Sequence, residues 1–143
     1  MNVMFGNAIK KAFEGLIDFD TDTIKAMLVT SVYTPNQDTH DNVDDVTNEV
    51  VGTGYTAGGQ TLANCAIAVD SVNDRVEFDA DNPSWANSTI TARGMVIYKD
   101  TGTPGTSPLI CYIDFGEDKI SSAGAFTATI NAEGIFYIGY AQA

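Results

Sequence analysis

Asp18, Asp20 and Asp22 stand at alternate positions in the segment DFDTD, the spacing at which carboxylate oxygens of a calcium loop converge on one hard cation. The resemblance to such a loop stops early. Thr23 occupies the position where the sharp turn wants glycine, and Val29 the position of the bidentate glutamate, so the segment reads as an acidic capping turn. Asp79 and Asp81 form a second carboxylate pair. Glycoside hydrolysis needs two carboxyls facing each other across a cleft, which same-strand spacing does not supply. The single histidine, His40, lies beside Asp41 in NQDTHDNVDD. Adjacent loop residues point apart, so the pair reads as a solvated His and its neighbour, and one His cannot build a His-rich metal site. No Ser or Cys stands in a GxSxG context. The sequence therefore predicts no enzyme, with no catalytic residue, metal or cofactor.

Cys65 and Cys111 show neither CxxC nor Cys/His zinc spacing, and each lies in an apolar, strand-like stretch. They read as buried free thiols, with a disulfide as the alternative. Trp85, in NPSWANST, reads as a core or interface plug, with stacking on a sugar ring as the alternative. The glycine-rich segment GTGYTAGGQ (52–60) has no GxGxxG or GxxxxGK[ST] pattern and no nearby lysine, so it predicts a structural turn and not a phosphate cradle.

The elements that would position these residues follow from periodicity. Phe5, Ile9, Ala12, Phe13 and Leu16 recur on one helical stripe, predicting an amphipathic helix over residues 1–17 that ends near Gly15. From Ile24 to Ser31 the pattern changes to period two, a strand with both faces partly covered. A short helical turn capped by Thr39 is expected before Thr47. Further strands are expected at 61–69, 75–78, 88–98, 109–115, 125–130 and 135–140, between loops rich in Gly, Pro, Asn and Asp. The fold class is mainly β: an antiparallel β-sandwich or jelly-roll-like barrel with an N-terminal amphipathic helix. The 143 residues are expected to form one domain, a helical arm over 1–17 and a sandwich over 18–143.

Nineteen acidic against seven basic side chains give a formal charge of −12, which repels nucleic acid and anionic membrane surfaces. No window reaches the apolar length of a membrane span, and the first residues lack the order of a secretory signal. No nucleic-acid or membrane partner is expected.

The run from Ile17 to Asn64, IDFDTDTIKAMLVTSVYTPNQDTHDNVDDVTNEVVGTGYTAGGQTLAN, resembles small virion structural proteins of tailed bacteriophages. The resemblance continues in order through VNDRVEFDAD (72–81), SWANSTITARGMVIYKDTG (84–102) and SPLICYIDFGEDK (107–119). It implies a protein made in the host cytoplasm and located in the virion. Its implied role is capsid decoration or cement that binds the major capsid protein or other virion structural proteins, as a homo-oligomer. The alternatives are a tail, neck or fibre-associated component, or a carbohydrate-binding adsorption module. On this reading Phe5, Ile9, Phe13 and Leu16 form the partner interface, and deletion of residues 1–16 is expected to abolish docking while sparing the β domain.

Overall fold

The computed structural model describes residues 1–140. Among the described residues the chain is mainly β, with every strand pairing antiparallel and one α-helix, in a sandwich-like arrangement. The strands are β1 (Val3–Met4), β2 (Ile24–Val29), β3 (Gln60–Thr61), β4 (Ala66–Asp70), β5 (Arg75–Asp79), β6 (Ser84–Ser88), β7 (Thr91–Lys99), β8 (Leu109–Ile120), β9 (Gly124–Thr127) and β10 (Phe136–Gly139). They form a five-stranded sheet β1-β8-β7-β2-β3, a three-stranded sheet β10-β5-β4 and the pair β6-β9.

The five-stranded sheet is buried on both faces. Ile24, Ala26 and Leu28 of β2 pack with Met95 and Ile97 of β7 into one core, closed by Phe19, Trp85 and Phe126. The intervening Met27 and Val29 point the other way, into a second core with Phe5, Tyr33, Val96, Leu109 and Tyr112. Alternation of side chains thus serves two cores, which is why these central strands read as nearly continuous apolar runs.

The amino-terminal segment differs from the expected helix. Val3 and Met4 pair with Tyr112 and Cys111 as the edge of the large sheet, and the Phe5 N–H donates to the Ile110 carbonyl at 3.1 Å. The α-helix α1 therefore spans only Gly6–Phe13. Its end is a Schellman motif: Gly15 takes φ +76°, its N–H donates to Ala12 O, and the Leu16 N–H reaches back to Lys11 O.

Other boundaries moved for local reasons. The expected strand at 61–69 is broken into β3 and β4 by a turn in which Asn64 adopts φ +55°. The helical turn before Thr47 is a single 3₁₀ turn, Val43–Asp45, closed by a capping box between Asn42 and Asp45 in place of a Thr39 cap. β8 runs on past Phe115 to Ile120. Its register against β7 slips between Ala92 and Gly94, where β8 carries extra residues around Gly116 at φ +79°.

Candidate functional site

Most of the candidate catalytic and metal-binding groups are engaged in local bonds that hold turns or loops. The Asp18 N–H donates to Asp22 Oδ2 at 2.7 Å, and Lys99 Nζ pairs with the same oxygen at 2.9 Å. The Asp18 carboxyl hydrogen-bonds with that of Asp20, which holds Asp18 below and Asp20 above the usual carboxylate range. Asp79 accepts from the Ala80 N–H, whereas Asp81 accepts from the Asn64 side chain at 2.6 Å. Among the described residues, no three His, Cys, Asp or Glu side chains gather in a metal-holding group.

His40 and Asp41 engage different partners, and His40 is half-buried. Its Nδ1 accepts from the Asn36 N–H at 3.3 Å and lies 3.0 Å from the Tyr33 hydroxyl, with the ring stacked near Tyr33 and Phe5. Burial first, then the charge of neighbouring groups, pushes the Tyr33 hydroxyl up to about 12. Asp41 instead pairs with Lys11 of α1 at 2.6 Å. This loop is therefore a clasp over the second core, joined to the helix by one ion pair.

Trp85 is 4% exposed, with Phe126 edge-on at 6.0 Å and Tyr55 tilted against it at 6.0 Å. A buried ring presents no face to a sugar, so the plug reading describes it. Cys111 is buried and its thiol is pushed up to about 12 by desolvation; Cys65 is half-buried, and burial raises it too. Both thiols are free.

The glycine-rich segment is a structural turn that caps the large sheet. A Cβ on Gly59 would overlap the Ala26 carbonyl oxygen, so the backbone of this loop lies directly on β2. Glu49 gathers it, accepting from the Gly58 N–H at 2.6 Å and the Tyr55 hydroxyl at 2.8 Å, while that hydroxyl accepts from the Leu28 N–H at 2.9 Å.

What remains unengaged is apolar surface. Of the four residues of the expected interface stripe, Phe5 is fully buried in the second core, fixed there by the pairing of β1. The other three face outward: Ile9 is 42%, Phe13 90% and Leu16 54% exposed. Beside them lies an apolar cleft of about 380 Å³. One wall is Ala8, Ile9 and Ala12 of α1, the other is Ile67, Phe78, Phe136 and Ile138 of the three-stranded sheet, and Ile17, Phe19 and Ile110 line it too.

Register explains that wall. Ile67 pairs with Phe78 and Phe78 with Phe136, while Val69 pairs with Val76 and Val76 with Ile138, so all six side chains share one face. At one end of this face Phe78 and Phe136 stack on each other and meet the edge of Phe19. The opposite face is polar, with Arg75 bridging Asp70, Glu77 and Glu133 and lying over the Tyr137 ring. The sequence marked these segments as strands, but that β4 lies at an edge became visible only with the strand order.

Compared with protein families, curated proteins and solved structures, the chain matches none of them.

Proposed function

We propose that the chain is a structural protein of a tailed-bacteriophage particle, a decoration or cement protein that docks on the major capsid protein shell. Two things support this reading. The first is the sequence resemblance carried by residues 17–64 and the later runs. The second, which carries the argument, is the ridge of Ile9, Phe13 and Leu16 standing in solvent beside an apolar cleft. Large apolar side chains clustered on one exposed rim mark a surface that another protein covers. Covering them adds stability at about 25 cal/mol per Å² of apolar area before association costs are subtracted.

A tail or neck location would use the same surface at a different copy number. The adsorption-module reading loses its main support, because Trp85 is core.

The structure changes how docking is best tested. Deleting residues 1–16 would remove β1 and buried Phe5 along with the helix, so loss of binding would be confounded with loss of the fold. Phe13→Asp alters a side chain that is 90% exposed and leaves the cores alone. With purified shells of the major capsid protein, the wild-type chain is expected to co-sediment and the Phe13→Asp variant to remain in the supernatant. Equal co-sedimentation of both would refute docking through α1, and failure of the wild type to co-sediment would refute the cement role.

A further inference from the structure

The three-stranded sheet ends in an edge that the fold leaves open. β4 reads AIAVD, and Ala66, Ile67, Ala68 and Val69 are all exposed, although five consecutive extended residues at a sheet edge present a row of backbone donors and acceptors. Among the described residues, β4 makes backbone ladder bonds to β5 alone. Four of the other edge strands are shorter than β4 or held by neighbours. β1 and β3 are two residues each, β10 runs beside β1 and β8 and lines a cleft with them, and β6 is gripped at Ser84 by the Gln60 side chain. β4 has no lysine, no proline and no bulge, and its one charge, Asp70, stands at its end.

We infer that β4 pairs antiparallel with β4 of a second copy of this chain, about a two-fold axis through Ala68, to make a continuous six-stranded sheet. The strand is complementary to itself in this register. Ile67 falls opposite Val69 of the other copy on the apolar face, extending the apolar wall across the junction. Ala68 meets its own counterpart on the opposite face. The one charge, Asp70, falls opposite Ala66 and is already paired with Arg75 of its own chain at 3.3 Å. No like charges are therefore opposed, and no bulky side chain blocks the approach.

Area sets the strength. Val69 is 71%, Val72 88% and Ile67 43% exposed, and with the flanking alanines they offer roughly 400 Å² of apolar surface per copy, short of the ~800 Å² per partner of a standard interface. The pair is thus weak and reversible, formed where copies are held at high local concentration. Each copy carries a charge of −12, so long-range repulsion opposes the contact while the contact itself is uncharged. Association should accordingly tighten as salt screens the repulsion, whereas capture of a basic partner would loosen. The inference does not depend on the virion reading, because it concerns the isolated chain.

Sedimentation equilibrium of the full chain tests it, from micromolar to about 1 mM and from about 50 mM to about 500 mM salt. A monomer–dimer equilibrium is expected that tightens several-fold with salt and weakens at least tenfold in Val69→Lys. That variant keeps the monomer fold by circular dichroism, because the side chain it replaces already lies in solvent. Register is tested by disulfide trapping with oxidised glutathione in a Cys65→Ser background, Cys111 being buried. Ala68→Cys should trap a covalent dimer at least tenfold faster than Ala66→Cys, because only Ala68 lies opposite itself. A chain that stays monomeric throughout, a dimer indifferent to Val69→Lys, a dimer that loosens with salt, or equal trapping at both positions would each overturn the inference.

Discussion

The five-stranded and three-stranded sheets are built from similar residues and meet opposite fates. The first is covered on both faces by two cores and ends in edges of two residues each. The second has one polar face, one apolar face packed only at its Phe78–Phe136 end, and an open five-residue edge. The contrast separates the part of the chain that makes it fold from the part available to other molecules. A strand such as β2, flanked on both sides within a sheet, has every apolar side chain claimed internally. At an edge, the same kind of sequence leaves Val69 and Ile67 in solvent.

The comparison can be broken most sharply by truncation in the two regions. Leu28→Ala, at a fully buried site, is expected to cost about 2–5 kcal/mol in urea unfolding, and Val69→Ala to stay within about 0.5 kcal/mol. Similar costs at both sites would mean that β4 is packed in solution. Next in size is the hydroxyl that ties the glycine-rich loop to β2: Tyr55→Phe leaves Glu49 and the Leu28 N–H without this partner and should cost about 1–2 kcal/mol by the same assay.

Two smaller effects sharpen the contrast. In thiol labelling of the native protein, Cys65 should react first and Cys111 only through large-scale opening, because the latter lies within β8 at 3% exposure. Comparable rates would show that the large sheet opens locally. The acid response should also report the large sheet. The Arg93 guanidinium at 2.8 Å, helped by the terminal amine of Met1 and the Gly116 N–H, holds the Asp114 carboxyl well below the carboxylate range. A carboxyl whose pKa is lower in the folded state stabilises the fold above its unfolded pKa, and that contribution is lost as pH falls through the folded value. The Asp114 contribution is therefore complete above about pH 4 and fades below it. Asp114→Asn should flatten the fall of Tm in that window, and an unchanged slope would show that the pair contributes nothing.

Much of this architecture was legible in the sequence because one force dominated locally. β2 followed from period-two alternation, β5 and β10 from strand-like segments between turn-rich loops, and Gly15 marked the end of the helix through its αL requirement. Legibility failed where a distant partner decided. Phe5 fits the helical stripe by spacing, but the pairing of Val3 and Met4 with β8 drew it into the core. FGEDK carries the composition of a turn, yet β8 continues through it as a bulge opposite β7. The exposed ridge at Ile9, Phe13 and Leu16 was readable as a stripe. The cleft wall and the open β4 edge were not, because strand order leaves no trace in periodicity.

The proposed particle role is tested most directly by quantitative mass spectrometry of purified virions from a phage found to carry this sequence, with copy number set against the major capsid protein. Decoration of the shell predicts hundreds of copies per particle. A count of six, twelve or a few dozen would move the protein to the neck or tail, and its absence from the virion would contradict the structural reading.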